Sequence, residues 1–398
     1  MSSAAISTLI LGQPPGSSLR REFYADPVIF DREMERLFLK SWLYVGHISQ
    51  IPQAGDYFTY EIAGESVIVV NCGAGQVSAL INVCRHRCSR ICTAASGQAR
   101  LFVCKYHGWT YELDGTLRGA SHTFPGFDKS KYGLKRVQVR VFHGLIFISF
   151  DQNPVSFSVI ESDLDAPLAP YRLAEAKVAH RQSYPIAANW KLAIENYCEC
   201  YHCVPSHPEY SVAHGRAVPR EEMEPELKAV FDRAESCGLT RHVVRNEWNA
   251  SGGVGIDRAF DRYALFKGHV TGSRDGRPVA PLLGTIRGYD GGTTDMHIGP
   301  FTFFLAYCDY VVVYRFTPLT PDTCECEVTW LVRSDAEEGK DYRLEDLTWL
   351  WEVTTLADKR IIENNAKGVK SRFYEPGPYT QMEDFARRFI EWYLDAMK

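Results

Sequence analysis

Two short segments, each offering one thiol and one imidazole, constrain this chain more than any other feature. The first reads Cys84-Arg85-His86. Seventeen residues later comes Cys104-Lys105-Tyr106-His107-Gly108-Trp109. Two thiolates and two imidazoles presented from two loops suit a [2Fe–2S] cluster with cysteines on one iron and histidines on the other. Exchanging two thiolates for neutral imidazoles raises the potential of such a cluster. A structural zinc site is the main alternative, but it usually opens with Cys-x₂₋₄-Cys and closes with His-x₃₋₅-His. Here each half mixes the two residue types, and only one residue separates the first pair. Chance clustering of buried thiols and histidines is the other alternative, and the four-ligand spacing disfavours both.

Composition bounds the rest. With 398 residues, 45% of them apolar, the chain can bury a sizeable core and predicts two domains. A formal net charge of −5 gives no electrostatic footprint for nucleic acid or an anionic membrane. No apolar run approaches the roughly 20 residues that cross a bilayer. The patch Ile6–Leu11 lacks a charged leader and a cleavage site, and reads as part of a frayed tail over Met1–Arg21. Twelve cysteines in a chain this long do not make a disulfide scaffold. Several lie beside histidines, among them Cys198, Cys200 and Cys203 around His202. That pattern argues for metal chemistry before disulfides, and for a reducing, cytoplasmic setting.

The residue pattern divides the chain into 1–45, 46–155 and 156–398. In the first part Phe30, Met34, Leu37, Phe38 and Trp42 recur at helical spacing. From Tyr57 to Phe150 short β-rich runs separated by turn signals predict a many-stranded antiparallel domain, each Cys–His pair at a hairpin tip. Residues 151–162 read as its exit linker. Helices are predicted over Asn189–Tyr201 and Leu344–Lys370, with another around Phe385–Tyr393. Strands are predicted at Phe301–Tyr307, Tyr310–Phe316 and Cys326–Val332.

A second candidate site lies in this last part. His202 and His207 are five apart. If the helix ends near Pro205, the chain swings His207 back toward the metal that His202 binds. Two imidazoles plus a carboxylate leave one face of an iron(II) open for O₂ and substrate. Glu199, three residues before His202, shares its side of a helix.

The run Cys-Arg-His-Arg … Cys-x-Tyr-His-Gly-Trp, continued through Thr110–Gly115, closely resembles the cluster motif of Rieske non-haem iron oxygenases. Cys88 stands where that motif commonly has glycine, and Lys105 where it has proline. Cys88 and Cys92 share the first loop, so they cannot form the loop-to-loop bridge of respiratory-type Rieske proteins. The run Asn-Trp-Lys … Glu-Asn-x-x-Glu-x-Tyr-His-x₄-His resembles the mononuclear iron segment of the same oxygenases. The resemblance implies an α+β protein: an all-β Rieske domain, a helix-covered antiparallel-sheet (helix-grip-like) catalytic domain, and an N-terminal segment 1–45 packing with the latter. It implies a [2Fe–2S] cluster on Cys84, His86, Cys104 and His107, and an iron(II) on His202, His207 and Asp358, with Glu363 the fallback carboxylate. It further implies that Glu199 bridges His202 to a cluster histidine, His107, of an adjacent chain in a homotrimer. Glu-Cys-Tyr-His-Cys at 199–203 looks like the branch acting on quaternary ammonium compounds such as betaines and carnitine.

The chemistry implied is hydroxylation or oxidative N-demethylation of a small molecule with O₂, the electrons coming from a separate NAD(P)H-dependent reductase or a ferredoxin. Ser251–Gly255 lacks the strand–turn–helix context of a nucleotide fingerprint. Phe301, Phe303, Phe304, Tyr307, Tyr310 and Trp248 are candidates for an aromatic cage around a quaternary cation, though most read as ordinary core. The alternatives are an aromatic-ring dihydroxylating enzyme and, in a different class, a Rieske electron carrier without oxygenase activity. A carrier needs neither His202 and His207 nor the long region that follows the cluster domain.

Overall fold

The computed structural model describes residues 2–241, 243–246 and 257–398. Trp248 and Ser251–Gly255 lie outside the described residues. The chain divides into two compact units, 39–154 and 1–38 with 155–398.

In the unit 39–154, seven antiparallel strands form a sheet in the order Leu43–His47, Leu145–Ser149, Arg136–Phe142, Gln76–Ile81, Glu65–Gly73, Asp56–Ile62 and Ser96–Gln98. The boundary read at residue 45 therefore lies at 38, because Leu43–His47 pairs with Leu145–Ser149. A smaller sheet joins Phe102–Val103, Thr110–Tyr111 and Leu117–Gly119. Ile68, Val70, Leu80, Leu117 and Tyr111 pack around Cys84, Cys104 and Trp109, so the core reaches up to the paired thiols.

In the other unit a seven-stranded antiparallel sheet runs Ala176–Ile186, Thr323–Arg333, Val311–Thr320, Thr302–Ala306, Gly292–Ile298, Arg258–Ala264, Val244–Asn246. Its central strands are largely apolar and buried, with Arg315 and Glu327 paired within them, as expected of a sheet with a long helix across it. That helix, Leu344–Val369, is tied to the sheet by Trp351 Nε1 donating to Tyr310 Oη at 3.1 Å. A 2.7 Å hydrogen bond joins Tyr314 Oη and Thr355 Oγ1.

Three expectations needed correction. The N-terminal patch is not frayed: Ser2 caps a helix over Ser3–Leu11, and Ile6 and Ile10, one turn apart, are buried. The stretch read as a linker runs into a helix, Ser158–Leu168, which buries Ile160 and Leu164 at the same spacing. The helix predicted over Asn189–Tyr201 ends at Tyr197. A helix continued through Tyr201 would leave that residue's carbonyl facing Pro205, which has no N–H to offer it.

Buried polar contacts lock the N-terminal helices to the rest of their unit. Glu33 accepts from Trp190 Nε1 at 2.7 Å, from Lys191 Nζ at 2.5 Å and from Tyr393 Oη at 2.5 Å. One carboxylate thus joins the helices Pro27–Glu33, Trp190–Tyr197 and Asp384–Ala396.

Candidate functional site

The four candidate cluster residues come from two tight loops. Cys104 N donates to Trp109 O at 2.8 Å, closing the tip of the hairpin Phe102–Val103/Thr110–Tyr111. Gly108 supplies the positive φ, +73°, that this tip needs. The first loop is closed by Cys84 N to Ser89 O at 2.9 Å but is not a hairpin tip. Cys88 sits there at φ +57°. Where the family motif commonly has glycine, this chain holds a side chain in the left-handed region, at a cost of about 1 kcal/mol.

The two residue types separate by depth. Cys84 and Cys104 are buried, whereas His86 and His107 are exposed. The two rings lie 4.6 Å apart between centroids, and His86 stacks on Trp109 at 4.9 Å. Tyr111 Oη lies 3.2 Å from Cys84 Sγ and accepts from Arg85 N–H at 3.0 Å. Burial pushes the Cys84 thiol up, opposed by its bond to Tyr111 and reinforced by the neighbouring Cys104. Two thiols crowded in a dry core, facing two exposed imidazoles, fit a cluster with one cysteine-bound and one histidine-bound iron.

The second constellation is built by a broken helix. Asn189 caps Trp190–Tyr197 through its side chain, which accepts from Lys191 N at 3.0 Å. After Tyr197 the chain turns, and Glu199 shapes the turn. One carboxylate oxygen accepts from Tyr201 N at 2.5 Å and His202 N at 3.2 Å; the other meets His202 Nδ1 at 2.5 Å. The expected Glu199–His202 contact is present, made across a turn rather than along a helix face. His207 lies at the junction of the helices Cys203–Ser206 and Pro208–Ala213, with φ −144° and ψ 83°. Pro208 disfavours helical backbone at the residue before it, and so turns His207 back.

Asp358 comes from the long helix, where Trp351, Thr354 and Asp358 line one cavity at helical spacing. Its Oδ1 lies 3.1 Å from His202 Nε2 and 3.1 Å from His207 Nε2. The two imidazoles are nearly perpendicular, 82°, with centroids 5.1 Å apart. Burial would raise Asp358, but the bonds from both histidines hold it below the ordinary carboxylate range. Burial likewise opposes charge on His202, yet Asp358 and Glu199 outweigh it and raise its pKa to about 9 in the field of its protein neighbours. Three donors converging on one point, in surroundings that favour positive charge there, fit a divalent iron. Glu199 on Nδ1 fixes the tautomer that leaves Nε2 free to ligate.

Two competitors for the third position drop out. Cys203 lies near both histidines, but its sulfur is bonded to Cys200. Glu363 is engaged by Lys359 and by Ala187 N, the latter at 3.0 Å. Metal chemistry is expected of the thiols around His202 before disulfides, yet two of them, Cys200 and Cys203, are instead bonded to each other; Cys88 and Cys92 are free thiols.

The cavity holding this constellation measures about 830 Å³. Of the six proposed cage aromatics, Phe303 lines it. Phe301 instead stacks on Phe38 in the core, at 4.0 Å, and Phe304, Tyr307 and Tyr310 are buried and absent from the lining. The rings that do line it include Tyr197, Tyr210, Tyr263, Tyr314, Trp351 and Phe385, with Asp261, Asp295, Arg216 and Arg388 as charged members. Sequence reasoning missed these. They are scattered over four helices, three strands and the loop at Arg216, and carry no local motif.

Two family profiles match the chain: the Rieske [2Fe-2S] domain over residues 41–133, and the ring hydroxylating alpha subunit (catalytic domain) over residues 173–398. The chain belongs to the Rieske ring-hydroxylating oxygenase alpha-subunit family. It is an oxidoreductase whose two domains are those that hold a Rieske cluster and a mononuclear iron in this family. It is 34% identical over 397 residues to the glycine betaine monooxygenase oxygenase subunit of Pseudomonas aeruginosa, covering 99% of this chain and 92% of the relative. It is 36% identical over 358 residues to the carnitine monooxygenase oxygenase subunit of Escherichia coli, covering 88% and 84%. The fold is shared with a quaternary ammonium Rieske monooxygenase solved with L-carnitine (TM-score 0.68, 23% identity, 98% and 97% covered). It is equally shared with naphthalene 1,2-dioxygenase from Rhodococcus sp. (TM-score 0.68, 20% identity, 95% and 94% covered). The α+β architecture expected from the motifs is the one observed. Among the described residues no helix is long and apolar enough to cross a membrane.

Proposed function

We propose that this subunit oxidatively N-demethylates a small quaternary ammonium compound. The carrying observation is the convergence of His202, His207 and Asp358 at a cavity whose wall combines aromatic faces with carboxylates. Such a wall attracts an organic cation through ring quadrupoles and charge, and whole-length similarity to glycine betaine and carnitine monooxygenase subunits supports the same substrate class. Cys84, His86, Cys104 and His107 would hold the cluster, and His202, His207 and Asp358 the iron, with Glu363 outside the set. Iron bound there supplies the oxidising chemistry toward O₂. In balance, one oxygen atom enters an N-methyl group and the other leaves as water, using two electrons and two protons. The cationic N-hydroxymethyl product then loses its hydroxyl proton as the C–N bond breaks, its electron pair going to nitrogen, and releases formaldehyde and the tertiary amine.

The protein's own groups prepare that reaction. Glu199 holds the Nδ1 proton of His202 and the backbone of the turn that presents it. The cluster imidazoles are exposed, which suits electron entry through His86 or His107. Electrons come in this reading from a separate reductase, and Glu199 joins His202 to His107 of a neighbouring subunit in a trimer. The test is oxygen uptake with a surrogate reductase over betaines, carnitine and aromatic acids, scoring formaldehyde against diols. Diols without formaldehyde would refute the assignment and favour ring dihydroxylation. Fewer than about three irons per fully loaded chain, or no acid-labile sulfide, would refute the two-site scheme.

A further inference from the structure

Three arginines of this unit whose side chains are largely covered are each neutralised by a carboxylate. Arg258 pairs with Asp163 at 2.6 Å, Arg315 with Glu327 at 3.0 Å, and Arg262 with Asp290. Arg216 is different. Among the described residues no carboxylate forms an ion pair with it; it is exposed, and it lines the cavity that holds His202, His207 and Asp358. Its guanidinium carbon lies 5.9 Å from the Tyr210 ring centre and 5.6 Å from that of Tyr263. Among the described residues its polar side-chain contact is a long one, 3.5 Å, to Tyr210 Oη. A guanidinium fork without an ion-pair partner at a cavity wall is free to take an incoming anion. Tyr210, and after it Tyr263 and Asp295, hold its pKa above the ordinary arginine value against burial, so it is permanently charged.

The backbone aims this side chain. His207 opens the helix Pro208–Ala213, and the same helix is closed at Gly215, φ +61°. Arg216 N donates to Ser211 O at 2.9 Å and Gly215 N to Val212 O at 3.4 Å, the paired bonds of a Schellman cap. Tyr210 stands between the two ends, with its ring 5.3 Å from that of His207. A candidate iron ligand and a lone guanidinium are therefore fixed at opposite ends of one short helix, facing one cavity.

We infer that Arg216 is the anchor for a carboxylate on the substrate, so that the cavity takes zwitterions, an N-methylated cation and a carboxylate in one molecule, in preference to plain cations. This rests on the demethylation reading and narrows it. The planar fork of guanidinium matches a carboxylate through two parallel N–H···O bonds. The opposite requirement is met on the iron side, where Tyr197 stacks on Phe303 at 4.1 Å beside Tyr314 and Asp358, an electron-rich wall for the cationic head. A substrate lacking the carboxylate would forgo that bidentate contact, and its loss sets the discrimination.

Arg216→Gln and Arg216→Lys in the iron- and cluster-loaded protein test this, with glycine betaine, carnitine and the methyl ester of each as probes. Binding is read by calorimetry, and turnover by formaldehyde with a surrogate reductase. A charged hydrogen-bonded contact of this kind is worth 10–100-fold in affinity. The expected result is that wild type binds an acid at least tenfold more tightly than its ester. Arg216→Gln should abolish that ratio by raising Kd and KM of the acid, with a small change in kcat, and Arg216→Lys should restore part of it. Equal losses for acid and ester, or an unchanged Kd for the acid at unaltered cluster absorbance and melting temperature, would overturn the anchor. Failure of wild type to bind either acid would overturn it too. Binding without formaldehyde from any probe would instead sink the demethylation reading, while the calorimetric ratio still decides Arg216.

Discussion

Replacing Glu199 by glutamine tests the iron site at its most informative contact. The carboxylate meets His202 Nδ1 at 2.5 Å and takes two backbone N–H groups with its other oxygen. Glutamine keeps the length and one acceptor but removes the charge, so the bond to the imidazole changes from charge-assisted to neutral. Charge-assisted bonds contribute about 1.5–3 kcal/mol against about 1 for neutral ones. The difference, on the order of 1–2 kcal/mol, corresponds to roughly 5–30-fold. Carboxylate partners of metal-bound histidines carry about 10–100-fold in metal affinity, which overlaps that range. Iron(II) affinity, measured by competition with a coloured chelator, should therefore fall about tenfold while cluster absorbance stays at the wild-type level. At saturating iron both metals should be present, and steady-state turnover with reductase should still fall, because the His202 tautomer is less firmly held. The alanine variant should lose more, since the turn loses its acceptor as well. Wild-type iron affinity together with wild-type turnover in the glutamine variant would refute the positioning role.

Other consequences are checked more simply. His202→Ala should lose the mononuclear iron and keep the cluster spectrum; loss of both at once would point to a folding role instead. Glu33→Ala strands Lys191, which burial already pushes down against the pull of Glu33, together with Trp190 Nε1 and Tyr393 Oη, and should cost about 3–5 kcal/mol in denaturant unfolding. Burial raises Glu195 to about 7, despite bonds from Tyr24 and Tyr379 at 2.8 Å each. Because the folded form binds this proton more tightly than the unfolded form, the stability it contributes is present below about pH 4.5 and lost as pH rises through 7. Glu195→Gln should flatten that slope by up to about 3 kcal/mol in melts run across this range. Gly215→Ala places a Cβ 2.6 Å from Met223 Sδ at a φ that disfavours side chains. It should cost at least about 1 kcal/mol and raise KM for a carboxylated substrate more than it lowers kcat.

How far the sequence carried varied with the range over which each feature is encoded. Cys84, His86, Cys104 and His107 are legible because each pair is local, and a hairpin needs little beyond Gly108 and Trp109 to present it. His202 and His207 are legible for the same reason. Asp358 is a helix-surface acid by pattern alone, and only likeness to related chains singled it out. The turn at Glu199 was read as helix because the apolar spacing of Trp190–Tyr197 continues past it, while Pro205 and the capping carboxylate act against that spacing. Strands such as Val311–Thr320 read correctly as apolar runs, yet which of their rings face a cavity and which the core depends on tertiary packing. Phe303 and Phe304 are adjacent in sequence, and only the first lines the cavity. Arg216 had no signal at all, since an arginine after a glycine is ordinary in a loop.

The short helix Pro208–Ala213 spans about 9 Å at 1.5 Å per residue. Bounded by a proline at one end and a left-handed glycine at the other, it behaves as a ruler whose two ends are a histidine and an arginine. Inserting or deleting one residue would rotate one end about 100° relative to the other, so its length is not free to drift. Chemical variation within this cavity is then confined to the walls. Met382, Phe385 and Arg388, near the chain's end, can change size or charge without altering that measured interval. Substrate range and metal chemistry become separately adjustable, which gives engineering of this oxygenase a place to begin that leaves the iron ligands alone.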